Sequence, residues 1–291
     1  MRCSDVATNI CEQTEGERVL CDAQVHIWGA DTPARPWPKV HGEPHREVPY
    51  GAQEIIEEMD RAGVERAVIV PPSWEGDRND LAVNAVTDYP GRFCIMGRVN
   101  LGPAAPRDLS HWLDTPGMRG VRLTFHRPEM RRWLTDGSAS WLWEEAERLG
   151  LPVMLLAPGQ SAELVPIARR YRDLTLIIDH CNLSVEAVAS DIGPAIDSLM
   201  PLVDCANVIM KISALPCYTE EVFPFQGLQG DIRRVIDAFG KDRCVWGSDI
   251  SRLPCDYRDW ATLFLEEFGL LSHEEAEAVG GATLCRALNW S

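Results

Sequence analysis

The stretch VLCDAQVHIW, residues 19–28, is apolar or β-branched apart from Asp22, Gln24 and His26. A short run of this kind reads as a strand buried on both faces. Alternate side chains of a strand share a face, so Asp22, Gln24 and His26 are expected to point the same way. An acid, an amide and an imidazole in succession are costly to bury without partners. A strand that carries them at its end is therefore expected to open on a polar cavity.

Seven further segments have the same character: RAVIVPP near 66–72, RFCIMGRVN near 92–100, RGVRLTF near 119–125, LPVMLLAP near 151–158, LTLIIDH near 174–180, NVIMKISAL near 207–215 and RCVWGSD near 243–249. Between them lie helical patterns such as AQEIIEEMDRAG and SWLWEEAERLG, apolar at i, i+3 and i+4 and closed by glycine. Regular strand–helix alternation implies an all-parallel sheet covered on its faces. Eight units predict an α/β fold of one type, a single (β/α)8 TIM barrel with its active site at the C-terminal ends of the strands. No G-x-G-x-x-G follows the first strand, which argues against a dinucleotide-binding sheet. The long first connection, about 29–52, contains TPARPWPKVHGEPHREVPYG and reads as an ordered loop over the barrel mouth.

The chain of 291 residues is 45% hydrophobic, enough for one large core. We assign residues 19–291 to the barrel and 1–18 to a flexible leader, which lacks the basic start and apolar core of a signal peptide. With 28 Lys and Arg against 44 Asp and Glu, the formal charge is −16. That balance disfavours nucleic acid and anionic lipid as partners but leaves the local field of a pocket open. The ten cysteines form no C-x-x-C pair, and several sit in apolar runs, as Cys94 and Cys244 do. They read as reduced thiols of a cytoplasmic enzyme. No apolar run is long enough to span a bilayer, and the apolar, Trp-rich helices suggest a homodimer.

Polar groups recur at the ends of the other strands. The fourth carries Arg122, Thr124 and His126 on one face, the sixth ends in Asp179-His180, the seventh carries Lys211 and Ser213, and the eighth ends in Gly247-Ser248-Asp249. Each alone fits a structural role, such as a helix cap, an ion pair or a snorkelling lysine. Five strands placing such groups at one rim read as a site.

DAQVHIW resembles the D-x-H-x-H first-strand motif of the amidohydrolase superfamily, IIDHCNLS its sixth-strand histidine and VWGSDISRL its eighth-strand G-S-D. Within it, the chain is similar to the "amidohydrolase 2" branch, which includes 2-pyrone-4,6-dicarboxylate lactonase, sugar-acid lactonases and zinc-dependent decarboxylases. The GGATLCRAL tail is similar to that branch's final helix. The resemblance implies that Asp249 is the base that deprotonates water, with His26 and His180 beside it. Gln24 stands where the first histidine of the pair belongs, and an amide is a poor zinc ligand compared with imidazole. The fifth strand, PVMLLAPG, offers no His or Lys, so a two-metal site is not expected. His26, His180 and Asp249 could still hold one zinc ion. With a ligand lost, the expectation leans to no metal.

The expected reaction is hydrolysis of a small lactone bearing carboxylate groups. Asp249, its pKa raised by partial burial, would take a proton from water, and His180 and His26 would polarise the carbonyl. Arg122 and Lys211, with His126 or Arg127, would hold substrate carboxylates. Gln24 would contact substrate or orient His26, and Trp28, Trp37 and Tyr218 would wall the pocket. The alternatives are a zinc-dependent decarboxylase, an amidase, and a barrel that binds ligand without turnover.

Overall fold

The eight expected strands form, and each pairs in parallel with the next in chain order. In the computed structural model of the chain, which describes residues 19–38, 43–102, 107–184, 192–265 and 269–291, they are β1 Cys21–Val25, β2 Arg66–Ile69, β3 Phe93–Arg98, β4 Met118–Thr124, β5 Val153–Leu156, β6 Leu176–Ile178, β7 Val208–Ser213 and β8 Cys244–Gly247. Most are shorter than their apolar runs, whose end residues lie outside the ladder. The helices are α1 Ala52–Ala62, α2 Asp80–Asp88, α3 Pro128–Arg131, α4 Ser140–Leu149, α5 Ser161–Arg170, α6 Gly193–Asp197, α7 Gln226–Phe239, α8 Tyr257–Thr262, α9 His273–Glu277 and α10 Thr283–Ala287. The glycine stops behave as read: Gly63 and Gly150 close α1 and α4 in the left-handed conformation. The expected leader, 1–18, and residues 39–42 of the first connection lie outside the described residues.

The core divides into two layers by strand parity. Ala23, Val68, Met96, Met154, Ile177, Ile209 and Val245 fill the barrel, which Leu284, Leu288 and Trp290 close from below. Residues of the opposite parity, such as Ile69, Val121, Leu155, Ile212 and Trp246, pack outward against the helices. The C-terminal segment comes close because Gly281 has no side chain; a Cβ there would overlap the carbonyl oxygen of Val19. The eight cysteines among the described residues are free thiols. No helix among them is long and apolar enough to cross a membrane.

One expectation fails on β1. The pairing of β1 with β2 shifts between Asp22 and Val25, and Asp22 does not share the inner face with Gln24 and His26. Its carboxylate is turned to the seam between β1 and β8. There Oδ1 accepts from the backbone N–H groups of Gln24 and Ser248 (2.8 Å each), and Oδ2 accepts from the Tyr257 hydroxyl of α8 (2.7 Å) and from Ser248 Oγ. The backbone bond from Asp249 N to Gln24 O, 2.9 Å, crosses the same seam. Asp22 thus spends its charge on closing the barrel.

Candidate active site

Three consecutive strands end in residues that rarely adopt the left-handed conformation. His180, Cys181 and Asn182 follow β6, Ala214 follows β7 and Asp249 follows β8, all with φ between 49° and 56°. Such conformations cost about 1–3 kcal/mol each and persist where the surroundings enforce them. Here they turn His180 and Asp249 inward at the rim.

Beneath the rim lies a chain of buried polar groups. Lys211 reaches up from β7 and donates to Gln24 Oε1 (2.5 Å) and the Ala23 carbonyl (3.2 Å), and its ammonium pairs with Asp179 Oδ1 at 2.7 Å. Asp179 Oδ2 takes Arg122 Nε at 2.6 Å. Burial pushes the Asp179 carboxyl up, but Arg122 and Lys211 outweigh it and hold the pKa below the ordinary carboxylate value. An ammonium only donates, so the oxygen of Gln24 faces Lys211 and its NH2 faces upward. That NH2 lies 3.2 Å from His26 Nε2 and 3.3 Å from His180 Nε2. Both imidazoles therefore accept at Nε2 and donate at Nδ1, to the Val70 carbonyl (2.5 Å) and Ser213 Oγ (2.8 Å). Burial keeps His180 neutral, its pKa pushed down to about 3.

Asp249 sits above this pair. Its Oδ1 is 3.2 Å from His26 Nε2, and its Oδ2 is 3.7 Å from His180 Nε2 and 3.5 Å from Arg252 Nη1. The upward pKa shift expected from burial is overturned: burial pushes that way, but the imidazoles of His26, His45 and His180 hold the carboxyl well below the ordinary range. Asp249 is thus a standing carboxylate.

The amidohydrolase family profile matches residues 21–283. The chain belongs to the amidohydrolase family. It is 29% identical over 251 residues to the L-fucono-1,5-lactonase of Burkholderia ambifaria, covering 82% of this chain and 83% of the relative. Among solved structures it resembles an amidohydrolase from Burkholderia multivorans crystallised with HEPES, with TM-score 0.77, 19% identity and 94% and 100% of the two chains covered. It also resembles a probable 2-pyrone-4,6-dicarboxylic acid hydrolase from Acinetobacter baumannii with citric acid bound, with TM-score 0.67, 18% identity and 93% and 99% covered.

The amidohydrolase cavity at the rim holds about 660 Å3 and is lined by His26, Arg122, His126, Arg127, His180 and Asp249 of the expected set. Five expected residues do not line it. Gln24 and Lys211 lie beneath it, with exposures of 1% and 0%, and Lys211, expected to hold a substrate carboxylate, already donates to Gln24 and Ala23 and pairs with Asp179. Trp28 packs edge-on against Tyr50 and Trp74, and the buried Tyr218 supports Arg252 from 3.5 Å. Trp37 packs on the hydrophobic core. Sequence reasoning missed Arg98, Arg252, His45 and Trp74, which also line the cavity. Arg98 was findable, being on the inner parity of β3 two residues past Met96. Arg252, three residues after Asp249, and His45, in the first connection, carry no periodic signal. His45 bonds Ser251 Oγ at 2.8 Å and packs on Trp74 at 4.7 Å between ring centres; burial pushes its pKa down to about 4.

For a divalent metal the donor set does not fit. Both Nε2 lone pairs meet the Gln24 NH2, a donor fixed in place by Lys211. Among the described residues no three His, Cys, Asp or Glu side chains are grouped to hold an ion.

Proposed function

We propose that this amidohydrolase opens a small lactone with an acidic substituent, using water and no resident metal. The observation that carries the reading is Asp249: an ionised carboxylate lining the cavity, whose Oδ1 makes no hydrogen bond among the described residues and lies 3.2 Å from His26 Nε2. A water between that oxygen and a bound ester carbonyl would lose its proton to Asp249 as it attacks. A carboxylate held this acidic keeps a proton poorly, and His26 Nε2, 3.2 Å away, is the next acceptor. His26 would leave the Gln24 NH2, donate to Asp249 as an imidazolium, and return the proton to the departing ring oxygen. The products are one hydroxyl and one carboxylate from ester and water.

Polarising the carbonyl is assigned differently from the sequence-based expectation. The imidazoles present lone pairs at Nε2 and have no N–H to give there. Arg252, beside Asp249 in the cavity wall, carries donors and charge for the developing oxyanion, a role commonly worth about 3–4 kcal/mol per donor. The acidic substituent is supported by four arginines, Arg98, Arg122, Arg127 and Arg252, against Glu43 and Asp249 in the lining. The B. ambifaria relative, named as a lactonase, supports the ester as the bond broken.

The test is a lactone panel, neutral and carboxylated, assayed by acid release before and after exhaustive chelation, with the metal content measured. Chelation-resistant turnover is expected. One zinc per chain that activity requires would refute the metal-free part, and CO2 release in place of ring opening would refute the hydrolysis.

A further inference from the structure

Arg98 closes β3 on the inner face, and its backbone is clamped by Asn79, whose amide donates to the Arg98 carbonyl (3.0 Å) and accepts from its N–H (2.8 Å). The residue is 8% exposed. Among the described residues its Nε has no hydrogen-bond partner, and the nearest carboxylate oxygen, on the half-exposed Asp77, is 4.0 Å away. Around it are further cations: burial first, then Arg122 and Arg127, push its pKa down to about 10, with Asp77 opposing. The other arginines differ. Arg122 is paired with Asp179, and Arg252 lies against Asp249 and Tyr218. A buried cation with no carboxylate in close contact is expensive, and among the described residues folding supplies only the distant, half-exposed Asp77 for this one. Beside it is a lobe of about 120 Å3 between the ends of β3 and β4, whose lining includes Leu101, Leu123 and Trp133 and, on one side, Asp77. It shares Ser73, Arg98, Arg122 and Thr124 with the main cavity.

We propose that Arg98 is the specificity-determining residue of the site, binding a carboxylate group of the substrate at this lobe as the close counter-charge that Asp77, at 4.0 Å, does not supply. The inference deepens the lactone reading and rests on it for what is turned over, but not for what is bound. It moves the anion subsite from Arg122 and Lys211, which share Asp179, to Arg98, a guanidinium whose backbone is clamped by Asn79 and whose nearest carboxylate among the described residues is 4.0 Å away. A bidentate guanidinium–carboxylate pair is the fitting contact.

The full-length protein is titrated with glutarate and, as the neutral control, glutaramide, by calorimetry. Wild type is expected to bind glutarate and not the diamide. Arg98→Gln is expected to weaken glutarate at least tenfold, Arg98→Lys less, and the remote, exposed Arg172→Gln under threefold. Thermal unfolding adds a readout that a merely structural arginine would move the other way: the ligand-free Arg98→Gln protein should melt at or above wild type, because an uncompensated charge has been removed. Failure of wild type to bind glutarate, unchanged binding in Arg98→Gln, or a destabilised or unfolded Arg98→Gln each overturns the proposal. Glutarate binding that depends on Arg98 in a protein hydrolysing no lactone would overturn the function and keep the subsite. Turnover in which Arg98→Gln slows neutral and carboxylated lactones alike would overturn the subsite and keep the function.

Discussion

Asp249 and Gln24 define the chemistry through what surrounds them. Replacing Asp249 by Asn preserves shape but leaves no base, so kcat for a lactone should fall by about 10²–10⁴-fold with the thermal midpoint little changed; turnover near wild type would remove Asp249 from the mechanism. Gln24 holds two imidazole lone pairs with one NH2, and Lys211 prevents the amide from flipping. Gln24→His would replace that donor with a third nitrogen ligand. The variant is expected to take up one zinc ion per chain in a calorimetric titration where wild type takes up none. Equal zinc uptake by both proteins would show that the amide does not guard the site.

At the scale of elements, the seam between β1 and β8 depends on Asp22. Its carboxylate serves two backbone N–H groups and two hydroxyls from β1, the end of β8 and α8. Asp22→Ala would strand these buried donors, at about 1–3 kcal/mol each, so a loss of about 3 kcal/mol or more is expected in urea unfolding. Burial nonetheless outweighs these bonds and raises the Asp22 pKa to about 6 from an ordinary 3.8. The folded chain therefore holds this proton more tightly than the unfolded one. The stability linked to Asp22 is complete below pH 3.8 and is lost as pH rises through 6. Asp22→Asn keeps the shape without the charge and should abolish that dependence, which urea midpoints at pH 4.5 and 7 would detect.

For the whole molecule the dominant acid response has the opposite sign. His180 and His45 have pKa values pushed down to about 3 and about 4 from 6.5. The unfolded chain binds protons at these positions first, so their contribution is complete above pH 6.5 and drains away as pH falls through their folded values. Two histidines against one aspartate predict a net fall in the urea midpoint between pH 7 and 4.5 at unchanged slope. A rising midpoint would contradict these assignments. The charge of −16 is a second global term. Self-repulsion of a strongly acidic surface is screened by salt, so 0.3 M NaCl should raise the melting temperature while weakening glutarate binding at the positive cavity.

The barrel was legible because eight apolar runs separated by helical patterns admit few other packings, and hydrophobic alternation is a local property. His26, His180, Asp249 and Arg122 were legible for the same reason, as polar residues where strand ends must face a cavity. Arg98 obeyed that rule and was overlooked. The direction of Asp22 was not available, because alternation fails where the β1–β2 register shifts, and a shift belongs to two strands at once. Nor were the Asp249 pKa, the tautomers enforced through Gln24 or the occupied state of Lys211. Each depends on charges and donors that are distant in the chain and come within about 3 Å only when the ring of strands closes.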